Sequence, residues 1–159
     1  MRHIMVHFGC AYMFDGCTNL EKAPALPAIS LKSNCYEGMF LNCTSLQTPP
    51  ELPATTLATG CYIGMFYNCV ALTGITLPAT DLATSCYEDL FGQNRNLKYI
   101  DVNFTSWGID NFEYTKDWVR DLFLEYIGDC EFHKLAELPE IFGDNNIPNG
   151  WTVINKDEV

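Results

Sequence analysis

The sequence predicts an α/β tandem-repeat solenoid in which short helices alternate with a short-stranded parallel sheet, followed by a C-terminal cap. Three observations predict it. Phe14, Phe40, Phe66 and Phe91 recur at spacings of 26, 26 and 25 residues. A second block keeps step with them: Leu26-Pro27-Ala28, Leu52-Pro53-Ala54-Thr55 and Leu77-Pro78-Ala79-Thr80. The period then fails near residue 102, where aromatic residues begin to crowd. Self-similarity at a fixed period of 20–50 residues is the signature of a repeat architecture.

The first element of each copy reads as a short helix. The second copy runs Asn34-Cys35-Tyr36-Glu37-Gly38-Met39-Phe40-Leu41-Asn42-Cys43-Thr44-Ser45-Leu46, and the third runs Gly60-Cys61-Tyr62-Ile63-Gly64-Met65-Phe66-Tyr67-Asn68-Cys69-Val70-Ala71-Leu72. Cys10 to Leu20 form an earlier copy with one residue fewer between its cysteines. Ser85 to Leu97 form a later copy with Leu90 and Asn94 in place of methionine and the second cysteine. On a helix, Cys35, Tyr36, Met39, Phe40 and Cys43 fall on one stripe and Glu37 points away. Two helical turns are not stable alone, so neighbouring copies must supply the docking surface.

The second element is a strand of the form Leu-x-x-apolar: Leu20 with Ala23, Leu46 with Pro49, Leu72 with Ile75, Leu97 with Ile100. It must be short, because Pro24, Pro49, Pro50, Pro53 and Pro78 lack the amide proton a ladder needs. Residues 1–102 are thus expected to form the repeat body, and residues 103–159 a non-repeating, aromatic-rich cap. Within the cap, Thr115 to Ile127 read as one helix, with Trp118, Leu122 and Tyr126 at i, i+4 and i+8. Trp107, Phe112, Tyr114 and Phe123 add to the crowding. Trp151 to Ile154 read as a final strand.

Composition bounds the function. The chain has 159 residues, 48% of them hydrophobic, enough for one domain with a real core. Its net charge of −11 repels nucleic-acid phosphates and anionic membranes. No apolar run approaches the ~20 residues of a membrane span, so membrane insertion is not expected. Residues 1–8 lack the apolar stretch of a secretory signal. That points to a removed signal, a missing upstream segment or another route of export.

The pattern Cys-Tyr-x-x-Met-Phe-x-x-Cys-Thr-x-Leu, followed by Leu-Pro-Ala-Thr, resembles the BspA-like leucine-rich repeats over residues 10 to about 100. Ile147-Pro148-Asn149-Gly150-Trp151-Thr152-Val153 resembles the segment that closes such arrays. The resemblance implies a leucine-rich-repeat solenoid. It implies a bacterial cell-surface or secreted protein of Bacteroidetes, or a protein of their phages. It implies adhesion or protein binding without catalysis. The alternative within the resemblance is a phage-encoded structural or attachment protein, or a phage factor that binds a host protein.

No residue set points to chemistry. Gly-x-Ser-x-Gly, a phosphate loop and His-Glu-x-x-His are all missing from the sequence, and neither an enzyme nor a cofactor is expected. The eight cysteines read as buried free thiols, since Cys17, Cys43 and Cys69 form a column of three and no Cys-x-x-Cys exists for zinc. His3 and His7 stand at i, i+4, and Cys130 and His133 at i, i+3, but neither pair makes a motif. Asp110, Glu113 and Asp117, and the Gly143-Asp144-Asn145-Asn146 turn, offer oxygen ligands without matching a calcium loop. Asn42-Cys43-Thr44 and Asn103-Phe104-Thr105 match a glycosylation sequon in form only. What remains is surface. Glu21, Gln47, Thr73 and Lys98 follow the strand leucines, are polar and differ between copies. They are the expected partner-binding face, and the partner is a protein.

Overall fold

In the computed structural model, residues 8–122 and 129–158 are described. Their regular structure is a parallel four-stranded sheet with almost no helix. Its strands are β1 (Gly74–Leu77), β2 (Tyr99–Val102), β3 (Glu131–Lys134) and β4 (Thr152–Asn155), paired in chain order. The register is continuous. Gly74 faces Tyr99, Tyr99 faces Glu131, and Glu131 faces Thr152. Lys22 and Thr48 form a further parallel bridge outside these strands. Side chains alternate across the sheet: Ile75, Leu77, Ile100, Val102 and Phe132 are buried, while Thr76, Tyr99, Asp101, Glu131 and His133 lie on the outer side.

The expected short helices are not present; tight turns take their place. The N–H groups of Glu37, Met39, Leu41 and Cys43 each donate to the carbonyl three residues earlier. The intervening N–H groups leave the segment: Tyr36 donates to Cys61, Gly38 to Ile63, Phe40 to Met65 and Asn42 to Tyr67. An α-helix would direct every N–H to the carbonyl four residues back. The turns differ because every fourth residue has positive φ: Asn34 (57°), Gly38 (55°) and Asn42 (59°), then Gly60 (62°), Gly64 (56°) and Asn68 (57°). Asn and Gly tolerate that region best. A positive φ at the third residue of a turn is the mark of type II. The arrangement frees alternate backbone groups to bond outward.

The same bonding continues beyond residue 102. Tyr87, Asp89, Phe91 and Gln93 donate to Tyr114, Lys116, Trp118 and Arg120, and Asp117 and Asp121 again have positive φ. Residues 115–121 are therefore turns and not the start of the expected helix; residues 123–127 of that helix lie outside the described residues. β3 and β4 extend the sheet in parallel past residue 103 as well. Sequence periodicity is lost there, yet the backbone pattern persists. The expected final strand, Trp151 to Ile154, falls at β4 with a one-residue shift.

The core is built of aromatic rows. Phe14, Phe40, Phe66 and Phe91 stack at centroid spacings of 5.5, 5.8 and 6.3 Å, and Trp118 closes the row at 5.8 Å. Tyr36, Tyr62 and Tyr87 form a parallel row at 6.0 Å. Trp107, Trp118, Phe104 and Phe132 meet edge-on or tilted behind them and are buried. Each such ring contributes roughly 1.5–3 kcal/mol by leaving water.

A thiol column runs beside the phenylalanines. Cys43 Sγ donates to the Phe14 carbonyl at 3.0 Å and Cys69 Sγ to the Phe40 carbonyl at 3.1 Å. Asn94, which breaks the cysteine pattern, donates its Nδ2 to the Phe66 carbonyl at 2.9 Å. The substitution keeps the donor and changes the atom. All eight cysteines are free thiols. Cys35, Cys43, Cys61, Cys69, Cys86 and Cys130 are buried, but Cys17 is exposed and Cys10 half-exposed. Burial pushes the thiols up, Cys43 to about 11 and Cys69 and Cys86 to about 12.

Candidate interaction surface

Glu21, Gln47, Thr73 and Lys98 are all exposed. They lie in two groups. Gln47 and Thr48 donate their N–H groups to the Glu21 carbonyl at 2.9 and 3.1 Å. Lys98 donates to the Thr73 carbonyl at 2.8 Å, and Glu131 donates to the Lys98 carbonyl at 2.8 Å. No described backbone bond joins the Gln47 segment to the Thr73 segment on this side. Ala23 donates to the Thr48 carbonyl, and one segment on the equivalent donor is Pro49, which has no N–H. A shallow groove of about 350 Å³ lies between Pro49-Pro50-Glu51 and Gly74-Ile75-Thr76, with Tyr99 also lining it.

The outer face is richer than the four positions suggest. Tyr99 packs over His133 with ring centroids 4.8 Å apart, and Gly74 lies against the tyrosine Cβ. His133 Nε2 lies 2.8 Å from Glu131 Oε2. Lys156 joins Asp101, the Val102 carbonyl and Asn103 Oδ1, so one cation ties β2 to the chain beyond β4. Sequence reasoning missed this cluster, because β3 carries no repeat motif. Its only mark was the Glu131-Phe132-His133 alternation. A second groove, about 430 Å³, runs between Lys22 to Pro27 and Thr48 to Pro53 and is mostly apolar.

Of the candidate calcium ligands, Glu113, Asn145 and Asn146 are engaged with the chain itself. Glu113 accepts from Ile109 N–H and Thr84 Oγ1. Asn145 accepts from Asp117 N–H and Thr115 Oγ1, and the Asn146 carbonyl from Trp118 Nε1. Among the described residues no group of three His, Cys, Asp or Glu side chains is placed to hold a metal ion. His3 and His7 lie outside the described residues. Cys130 is buried just before β3 and His133 lies on the outer face of β3, so the two point to opposite sides. Both sequon asparagines are in use: Asn42 bridges Asp15 and Asn68, and Asn103 holds Lys156 and the Pro78 carbonyl. No described helix is long and apolar enough to cross a membrane.

Compared with family models, curated proteins and solved structures, the chain finds no match.

Proposed function

We propose that this chain is a leucine-rich-repeat solenoid of the BspA-like kind. It acts as a non-enzymatic protein-interaction or adhesion module of a bacterial cell-surface or secreted protein. One observation carries the reading: buried rows are held constant while the outward positions in register with them vary. Phe40, Phe66 and Phe91 are each fully buried, as are Cys43 and Cys69. Glu21, Gln47, Thr73 and Lys98 are exposed and chemically unlike. A scaffold with fixed core and free face diversifies its contacts without altering its fold.

The test is retention of immobilised protein on washed bacterial cells and on a panel of extracellular-matrix proteins. It is measured by biolayer interferometry beside a quadruple variant, Glu21→Ala, Gln47→Ala, Thr73→Ala and Lys98→Ala. Saturable binding that weakens at least tenfold in the variant supports the reading. Binding unchanged in the variant defeats the proposed face, and the lack of any saturable binding defeats the adhesion role.

A further inference from the structure

The turn-face ladder has a direction. At every described contact along it, the segment nearer the N-terminus donates N–H and the next accepts with C=O. Tyr12, Phe14 and Gly16 donate to Glu37, Met39 and Leu41, and the same sense holds through Gln93, which donates to Arg120. The two ends of such a stack differ in chemistry: one is left with donors and the other with acceptors.

The donor end is sealed. Asp117 N–H donates to Asn145 Oδ1 and Val119 N–H to the Asp144 carbonyl. Thr115 Oγ1 and Trp118 Nε1 are met by the Asn145 and Asn146 carbonyls. At the acceptor end the described residues leave three carbonyls open. The carbonyls of Ala11, Met13 and Asp15 hold the places that Glu37, Met39 and Leu41 fill one segment later, and they accept no hydrogen bond among the described residues. Apolar surface surrounds them. Tyr12 is 48% and Met13 53% exposed. Phe14 and Leu20 are half-buried where Phe40 and Leu46 are fully buried. Cys17 is exposed where Cys43 and Cys69 are buried and donate to a carbonyl of the preceding segment.

We infer that this end is a docking surface for a polypeptide segment in the same turn conformation, one with alternate N–H groups free to donate and Asn or Gly at every fourth position. Polarity excludes a second copy of this chain. Two open ends would set carbonyl against carbonyl, and the opposite end has its donors already closed. A further unit of the 26-residue kind satisfies all three carbonyls, covers Phe14 and Leu20, and gives Cys17 the acceptor that Cys43 finds in Phe14.

The experiment inserts a copy of residues 34–59 between His7 and Phe8, which preserves the spacing from residue 8 to residue 34. Alkylation of each cysteine by iodoacetamide is followed by mass spectrometry in the native protein. In the unaltered chain Cys17 labels rapidly while Cys43 and Cys69 stay protected. In the insertion protein Cys17 labelling slows at least tenfold and the thermal midpoint rises. A control insertion carrying Asn34→Val, Gly38→Val and Asn42→Val in the copy alone leaves Cys17 labelling rapid. Three results overturn the inference: Cys17 protected in the unaltered chain, Cys17 labelled rapidly beside protected Cys43 and Cys69 in the insertion protein, or protection of Cys43 and Cys69 lost there.

Discussion

Substituting Gly64 with alanine separates the turn architecture from a helix by the sign of a stability change. Gly64 has φ +56°, and a Cβ built there meets no atom within 4 Å. Packing therefore contributes nothing, and the backbone alone decides. In a helix, alanine is more stable than glycine by about 0.8–1.0 kcal/mol. In the left-handed region a Cβ crowds the following carbonyl, at roughly 1–2 kcal/mol. The two architectures thus differ by about 2–3 kcal/mol on those two figures. Gly64→Ala is expected to destabilise by roughly 1–2 kcal/mol, which lowers Tm by about 2–8 °C for a chain of this size. Gly64→Asn should do less harm, since Asn tolerates that conformation. Urea unfolding at equilibrium, followed by fluorescence with the slope checked for constancy, measures the change. A Gly64→Ala protein as stable as the parent, or more stable, would refute the turn assignment.

Four further outcomes follow from the same geometry. Gly38→Ala should destabilise more than Gly64→Ala, because the added Cβ would meet the Tyr12 ring and disturb its 2.7 Å hydrogen bond to Glu37; Tyr12→Ala in the same chain should remove the excess in a double-mutant comparison. Asn94→Ala removes one of the two donors to the buried Phe66 carbonyl, the Cys69 N–H remaining, and should destabilise by about 0.5–1.5 kcal/mol, whereas Asn94→Cys should recover a good part of that loss, as Cys43 and Cys69 do in their own segments. Trp118→Ala should destabilise by about 3–5 kcal/mol, because that ring closes both aromatic rows; unfolding curves superimposable on the parent's would show that the rows end elsewhere. Stability should fall at alkaline pH. Burial raises Cys43, Cys69 and Cys86 from 9.0 to about 11 or 12, so above pH 9 the unfolded chain releases protons that the folded chain retains. This contribution is whole below pH 9 and is lost as pH rises through the folded values; unfolding midpoints that stay level from pH 8 to 11 would contradict it.

Much of the molecule was legible in the residues alone. The spacing of Phe14, Phe40, Phe66 and Phe91 determined which side chains form a row, because residues at one place in a period meet when period stacks on period. The Leu-x-x-apolar blocks located β1 and β2, and the prolines among them announced short strands. The exposure of Glu21, Gln47, Thr73 and Lys98 followed from polarity and alternation. The turns carried a mark too, Asn or Gly at every fourth position from 34 to 42 and from 60 to 68. An apolar stripe at helical spacing hid it, since both conformations turn Cys35, Met39 and Cys43 inward.

Tertiary structure decided the rest. Whether Tyr36 bonds within its own segment or to Cys61 depends on a neighbour being there to accept, and no property of Tyr36 reveals it. Residues 113–120 join the turn ladder and residues 131–134 the sheet without sharing the motif, because backbone bonding requires matching conformation and places little demand on side-chain identity. The gap at Pro49, the Tyr99–His133 cluster and the Lys156 tie from beyond β4 arise from segments distant in sequence that share an edge. The open set of carbonyls at Ala11, Met13 and Asp15 is of the same origin. The repeat determined which residues line up; the direction of the hydrogen bonds, visible only once the segments are stacked, decided that the Asp117 and Val119 donors are met while the Ala11, Met13 and Asp15 carbonyls are unbonded among the described residues.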